Sequence, residues 1–380
     1  MLSYVNYFRK DRGLRKNNKS MKRILICGLT DTYGGMEAFV LEFFRNADKS
    51  RIQFDFLIFE HQTISYADEI RSLGGSIIVL PLFRNHPFSF YSELDKVFRN
   101  NAYDVVYYHS THRIKSLRVL SCAKKRGVPV IAVHSHGSRD DEAGLYRKIR
   151  EAYSFRRFKK VVNKRLACSS NAGKWMFGDE PFEIIPNPIN VKRFSYNEEK
   201  RKKIRDSLGI GNELVVGTVG RMTYVKNPLF MTEVFEKVLK KKNAYFIHVG
   251  DGDMMDMMKT RIKEKKLDGK YLLPGSKDNV PDYLSAMDVF LFTSFYEGFP
   301  ISLIEAQANG LRCLVSDTIV EDCDITGNVF FRSINDDPEI WAESIINASE
   351  YKREDRTDDV IDKGYDAAHV ASRLYQVLEI

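Results

Sequence analysis

Val289-Phe290-Leu291-Phe292-Thr293-Ser294-Phe295-Tyr296-Glu297-Gly298-Phe299-Pro300-Ile301-Ser302-Leu303-Ile304-Glu305 is the stretch that decides the fold. Its first four residues form the unbroken apolar run of a strand buried on both faces of a parallel sheet. Ile301 to Ala308 read as the start of a helix, and Pro300 suits its first turn because the missing N–H is not needed there. A strand, a turn containing glycine and then a helix leave free backbone N–H groups at the carboxyl edge of the sheet. Such an edge binds phosphate. Glu297 lies in the turn and Glu305 a little over one helical turn further in. Carboxylates repel phosphate, so hydroxyl groups flanking it are their partners: a sugar on one side and a ribose on the other.

Outward from this stretch, strand-then-helix units recur in two series. The first has apolar runs at Arg23–Cys27, Phe54–Phe59, Ser76–Leu80, Val105–Tyr108, Val130–Val133 and Arg165–Cys168. The second has Leu214–Val219, Tyr245–Val249, Lys270–Leu273, Val289–Phe292 and Cys313–Val315. Between them, Glu183 to Pro188 is irregular and suits a linker. Alternating strands and helices imply mostly parallel sheets covered on both faces. We therefore expect an α/β chain of two doubly wound domains, residues 21–187 and 188–366, facing each other across a cleft. The amphipathic pattern at residues 367–380 predicts a last helix that packs back toward the first domain.

Loops at the carboxyl ends of these strands hold the candidate site residues. After Leu214–Val219 come Gly220-Arg221-Met222-Thr223-Tyr224-Val225-Lys226-Asn227-Pro228, with Asn227 placed to cap a helix and Pro228 to begin it. Arg221 and Lys226 would neutralise a departing diphosphate, an interaction that strengthens in the transition state. Gly250, in Gly250-Asp251-Gly252, reads equally as a tight turn or as a backbone contact to ligand. Val280 begins a helix beside the nucleotide pocket. In the first series Gly34-Gly35 precede a helix that approaches the same phosphate. His134-Ser135-His136-Gly137 end a strand, where histidine can bond a substrate hydroxyl or share in proton transfer. His109 and His112 are further candidates for the acceptor side. Asp251 and Asp253 lack any supporting metal ligand, so no metal is expected, and without a Gly-x-Gly-x-x-Gly pattern neither is a dinucleotide cofactor.

At 380 residues, 43% hydrophobic and 29% charged, the composition is that of a soluble globular protein. No run approaches the roughly 20 apolar residues of a membrane span. The first twenty residues lack the apolar core of a secretory signal, and Met21 opens the structured part. Five cysteines without metal spacing suit a reducing cytoplasm. The net charge of +8 favours an anionic partner. Much of the excess lies in residues 147–165, where cations alternate with Tyr146, Ile149, Tyr153, Phe155, Phe158, Val161 and Val162. This pattern reads as a basic helix on anionic lipid or as a solvated surface helix. Nucleic acid is not expected, since no matching motif accompanies the charge.

Taken together these motifs resemble family four of the retaining glycosyltransferases, which have the GT-B fold. The resemblance rests on Gly34-Gly35-Met36-Glu37, His134-Ser135-His136, Cys168-Ser169-Ser170 with Gly173-Lys174-Trp175, Ile185-Pro186-Asn187-Pro188-Ile189-Asn190, Gly220-Arg221 with Lys226-Asn227-Pro228, Glu297 through Glu305, and Gly310. It spans about residues 21 to 330 and looks like the branch that builds bacterial capsule, exopolysaccharide or O-antigen. It implies that Arg221 and Lys226 hold the donor diphosphate and that Glu297 contacts the transferred sugar. Glu305 would take the ribose, and the backbone from Phe299 and Pro300 through Ile301, Ser302 and Leu303 would cradle phosphate, with Gly35 completing the pocket. His136, or else His134, would touch the sugar near the reacting carbon. The implied enzyme moves a hexose or N-acetylhexosamine from a UDP-sugar to a glycan or lipid-linked glycan, without a metal or other cofactor, in the cytoplasm at the inner face of the membrane. A nonhydrolysing UDP-sugar epimerase of the same fold and a non-catalytic subunit of a polysaccharide assembly complex are the alternatives. Asn187-Pro188-Ile189-Asn190 departs from the Asn-Gly-Ile-Asp common in relatives.

Overall fold

A computed structural model describes residues 21–31, 34–60, 64, 66–137, 154–297 and 300–380, without the side chains of 113–115. Residues 1–20, Phe299 and the 147–153 part of the basic segment lie outside the described residues.

The first domain runs β1 (Lys22–Cys27), α1 (Gly35–Asn46), β2 (Ile52–Phe59), α2 (Ala67–Ser72), β3 (Ser76–Leu80), α3 (Pro87–Asn100), β4 (Val105–Ser110), α4 (Arg113–Lys125) and β5 (Val130–Ser135). It continues through a helical stretch at 154–161 (α5), β6 (Lys164–Ala167), α6 (Ser170–Phe177) and β7 (Glu183–Ile184). All seven strands are parallel, in the order β3-β2-β1-β4-β5-β6-β7.

Two helices, α7 (Val191–Phe194) and α8 (Glu198–Leu208), lead into the second sheet. There follow β8 (Leu214–Val219), α9 (Pro228–Lys241), β9 (Ala244–Val249), α10 (Met255–Glu264), β10 (Tyr271–Gly275), α11 (Val280–Ala286), β11 (Val289–Phe292), α12 (Ile301–Ala308), β12 (Arg312–Ser316) and β13 (Val329–Arg332). The chain closes with α13 (Pro338–Ser349), α14 (Thr357–Asp362) and α15 (Ala367–Leu378). This sheet is also parallel, in the order β10-β9-β8-β11-β12-β13. Both orders reverse direction once, between β1 and β4 and between β8 and β11. Loops diverge at such a reversal and open a crevice at the strand ends.

Apolar runs make the strands, and helices seal both faces. Phe39, Phe43 and Phe44 of α1 cover one face of the first sheet together with Val370, Ala371, Leu374 and Leu378 of α15. The hydroxyl of Tyr375 accepts from the Asp48 N–H at 2.8 Å, tying α15 to the loop after α1. Phe235 of α9 and Trp341 of α13 cover one face of the second sheet. A third cluster holds residues of both sheets and of the connecting helices. The chain crosses between domains twice, and the crossings bond to each other through Ile189 N–H to Tyr365 O at 2.9 Å and Ala367 N–H to Ile189 O at 3.2 Å. The start of the second sheet is pinned by charge. Asp288 takes Arg201 and Arg205 of α8, each at 2.7 Å, and the Val215 N–H at 2.8 Å.

Several local readings need correction. β4 runs on through Ser110 and β5 through Ser135, so His109 and His134 are strand residues and not loop residues, buried at 1% and 0% exposure. Asn227 does not cap α9 with its side chain. It closes the short helical turn Tyr224–Lys226 in a left-handed conformation (φ 50°), which asparagine tolerates better than most residues. Glu183–Ile184, within the expected linker, pairs with β6, and the edge strand β13 was not foreseen.

Candidate functional site

The loops after β8 and β11 flank the reversal point of the second sheet, and they are stitched together. The Phe295 N–H donates to Val225 O at 2.8 Å, and the Thr293 hydroxyl reaches Asn227 O at 3.2 Å. This brings Lys226 to Glu297, with Nζ 2.5 Å from Oε1. The two side chains are only 20% and 16% exposed, so the pair is mostly out of water. The ammonium also sits 4.5 Å from the centre of the Phe292 ring, whose π-face attracts cations. Arg221, on the same loop, is exposed and has no ion pair among the described residues. One paired and one open cation therefore stand at the carboxyl edge of the sheet.

The helix after β11 begins at Ile301 beside the start of α1. A Cβ on Gly35 would lie 3.5 Å from Ile301 Cδ1 and 3.9 Å from Asn187 Nδ2. Gly35 and Ile301 are the first residues of their helices, so two helix N-termini meet here from opposite domains. Each carries partial positive charge and unpaired N–H groups, and together they favour an anion between the domains. The approach to α1 is held by Glu37, whose carboxylate accepts from Gly34 N–H at 3.1 Å, Thr30 N–H at 3.0 Å and the Thr30 hydroxyl at 2.7 Å. Ser302 and Leu303 follow in the first turn of α12, with Pro300 at its cap.

Glu305 lies in the second turn of α12 and is half-buried. Loss of hydration pushes its carboxyl up to about 7, opposed by the charge of Arg193. A raised carboxyl pKa means the folded state holds the proton more tightly than the unfolded chain. Burial of the carboxyl therefore costs little below about 4.5, where it is protonated in both states, and the cost of ionising it is complete above about 7. Glu305→Gln should therefore match the parent in urea melts at pH 4.5 and be more stable at pH 8, by about 1–3 kcal/mol. Equal melts at both pH values would mean that the carboxyl is well hydrated.

Gly250 and Val280 belong to neighbouring loops. Gly250 has φ +140°, and a Cβ there would fall 2.0 Å from Gly220 O. Its N–H donates to Gly275 O at 3.0 Å, while Gly220 N–H donates to Val249 O at 3.0 Å. Glycine at 250 is thus explained by the packing of strand ends. Val280 is half-buried at the start of α11.

The histidines form one group in the first domain. His109 Nδ1 lies 2.9 Å from His136 Nε2, and His134 Nδ1 lies 2.7 Å from the Tyr107 hydroxyl. The rings of His134 and His136 stack at 4.3 Å, and Phe39 of α1 packs against all three histidines. Burial lowers all three below the usual histidine range, His136 to about 3, so the rings are neutral. One donor atom of each lies within 4.8 Å of the others, a spacing a divalent ion spans. Hydrogen bonds already occupy one nitrogen of each ring. His112 stands at the N-cap position of α4, its N–H donating to the Ser110 hydroxyl at 2.9 Å. His136 faces the side chain of Asn187, the residue beside Gly35. Asn187, placed by the sequence in the linker and in the Ile185–Asn190 motif but given no site role, is 4% exposed and stands where the crossing chain passes the cleft.

Two parallel, doubly wound domains, the second with a cation-bearing reversal point in its sheet, form a GT-B-type architecture. Residues 33–193 match the Glycosyltransferase Family 4 model and residues 200–358 the Glycosyl transferases group 1 model. The chain belongs to this family. It is 30% identical to EpsF of Bacillus subtilis over 378 residues, covering 96% of this chain and 98% of the relative. It is 28% identical, over 71% of each chain, to the UDP-Gal:alpha-D-GlcNAc-diphosphoundecaprenol alpha-1,3-galactosyltransferase of Escherichia coli. Among solved structures it resembles Anabaena HepE in complex with UDP, with a TM-score of 0.77 at 16% identity, covering 94% of this chain and 100% of that one.

Proposed function

We propose that the protein transfers a hexose or N-acetylhexosamine from a UDP-sugar, with retention of configuration, to a glycan or lipid-linked glycan of a bacterial surface polysaccharide. The observation that carries this reading is the Lys226–Glu297 pair at the reversal point of the second sheet, with Arg221 exposed on the same loop as Lys226. Arg221 and Lys226 bind the diphosphate, so no metal or other cofactor is assigned. The meeting helix ends at Gly35 and Ile301 add donors, with the backbone of Pro300 to Leu303 closing on phosphate. Once diphosphate engages Lys226, Glu297 is released to bond the sugar hydroxyls, and Glu305 takes the ribose. His136 meets the sugar from the other domain.

In the transfer step the acceptor oxygen bonds to the anomeric carbon on the face from which the diphosphate departs. The acceptor proton passes to the leaving phosphate oxygen, and the two cations stabilise the charge that grows there. The choice of UDP and of a surface-polysaccharide acceptor is supported by the names of the relatives: two name undecaprenyl-diphosphate-linked substrates, one of them with UDP-Gal, and a third is a capsular polysaccharide biosynthesis glycosyltransferase.

Contact with an anionic membrane face rests on charge alone. Within the described part of the basic segment Phe158 is buried and stacks on Phe177 at 6.1 Å, so the aromatic side of α5 serves the core. Lys159 and Arg165 pair with Glu180, and Lys164 with Glu379, leaving Arg156, Arg157 and Lys160 outward. No helix among the described residues is long and apolar enough to cross a membrane.

The purified protein, given a panel of nucleotide sugars and an undecaprenyl-linked acceptor, should consume a UDP-sugar and form an axial or equatorial linkage matching that of the donor. Conversion of the donor to an epimeric UDP-sugar without acceptor would replace this reading by an epimerase.

A further inference from the structure

We propose that the groove between α3 and α4, on the outer side of the first domain, seats the phosphate headgroup of an anionic membrane lipid, with Phe88 and Tyr91 entering the lipid interface beside it. This site deepens the reading of a lipid-linked acceptor at a membrane face, and rests on it.

The groove follows from how the two helices pack. Phe90, Leu94 and Phe98 of α3 and Val119, Leu120 and Ala123 of α4 turn into the core. Their outward sides leave a groove of about 1080 Å³, which Ser154 and Arg157 of α5 also line. Among the described residues its walls carry six cations, Lys96, Arg99, Arg118, Lys125, Arg126 and Arg157, against one acid, Asp95. Asp95 is already taken by Arg126 at 2.7 Å and Arg99 at 2.5 Å, and Lys96 pairs with Glu93 at 2.6 Å. Arg118, Lys125 and Arg157 have no acidic partner among the described residues, so the groove holds uncompensated positive charge. The Arg118 guanidinium sits over the Phe83 ring, 3.7 Å from its centre. Stacking of this kind uses the flat face of the guanidinium and leaves its N–H edge free for phosphate oxygens.

The rim distinguishes a lipid from a soluble anion. Phe88 is 91% exposed and Tyr91 48% exposed near the start of α3, and Tyr91 packs edge-on to Phe83 at 5.7 Å. A free anion offers a bare phenylalanine nothing to bury against, whereas the acyl boundary beneath a layer of phosphates does. α5 does not supply this contact, because its Phe158 lies in the core. The position also serves the reaction. α4 starts at the carboxyl edge of the first sheet, so Arg118 lies about 8 Å and Lys125 about 18 Å along the helix from that edge. A glycan carried by a lipid in the groove thus approaches the cleft along the same domain.

Sedimentation of the full-length protein with vesicles, in the absence of donor and acceptor, tests the site apart from the transfer reaction. The parent should bind vesicles of phosphatidylcholine mixed with phosphatidylglycerol and ignore pure phosphatidylcholine. Arg118→Ala/Lys125→Ala should weaken that binding about tenfold or more. Lys202→Ala/Lys203→Ala, which removes two exposed cations of α8, should leave it near the parent value. Phe88→Ser should weaken it with no change of charge. Cys122 lines the groove and is the one cysteine that is not buried, so its alkylation in the parent reports occupancy. Mixed vesicles should slow that alkylation several-fold; inorganic pyrophosphate and polyglutamate should not. This readout needs no substitution and decides alone if a variant does not fold. Equal binding to both kinds of vesicle, or none to either, would overturn the proposal. Equal losses in the α8 and groove variants would do the same, by showing charge spread over the surface. Protection of Cys122 by pyrophosphate or by polyglutamate would replace the lipid with a soluble anion or an acidic peptide. A parent that binds mixed vesicles through the groove yet transfers no sugar to an undecaprenyl-linked acceptor would instead defeat the acceptor reading and leave the lipid site standing.

Discussion

Lys226→Ala is expected to lower kcat by about 10²–10³-fold, the scale set by removing one charged stabiliser of a departing oxyanion. The loss should fall mainly on kcat, because charge on the diphosphate grows as the bond to the sugar breaks. The structure adds a second consequence. Lys226 neutralises Glu297, which is only 16% exposed, so its removal leaves a mostly buried carboxylate unpaired. Breaking one side of such a pair costs about 1–3 kcal/mol when it is not fully enclosed. Steady-state kinetics and urea melts of the same preparation separate the two effects. Lys226→Ala/Glu297→Gln should regain the stability and none of the turnover. Parent-like turnover in Lys226→Ala would refute the role given to the ammonium.

Gly250→Ala should be the most damaging small substitution near the site. At φ +140° a side chain is strained by itself, and the added Cβ would fall 2.0 Å from Gly220 O, a backbone atom with no rotamer to relieve it. We expect a loss of about 2–4 kcal/mol, read as a fall in Tm of roughly 5–15 °C. The loop that carries Arg221 begins at Gly220, so turnover should fall as well. The two readings of this glycine predict different measurements. A ligand contact would raise donor KM and leave Tm unchanged; a packing requirement lowers Tm first.

Much of this molecule can be read from its residues because buried parallel strands are so uniform. Val289-Phe290-Leu291-Phe292 and Leu214-Val215-Val216 admit little besides a central strand, and the helix at Ala367–Leu378 carries its apolar stripe openly. The sequence placed Lys226 and Glu297 in loops after strands, but their direct pairing at 2.5 Å shows only in the structure. The same uniformity hid other features. All six residues of β4 are buried, as are those of β5, so no alternation marks where strand ends and loop begins. His109 and His134 therefore read as loop residues, although they are strand residues in a buried polar cluster. Asn227 looked like a helix cap because its neighbour is Pro228. The preceding turn Tyr224–Lys226, which claims it, leaves no mark in composition. Asn187 was given no site role because its contacts come from Gly35 and His136, over 50 residues away in sequence. Long-range meetings of this kind have no local signal.

Calorimetric titration with UDP and with UMP tests the central claim most directly, because the two ligands differ only in the phosphate that Arg221 and Lys226 are assigned to hold. The parent should bind UDP at least about tenfold more tightly than UMP, one charge-assisted contact being worth about 1.5–3 kcal/mol, and the difference should collapse in Lys226→Ala. Equal affinity of the parent for both nucleotides, or an undiminished difference in Lys226→Ala, would contradict the account.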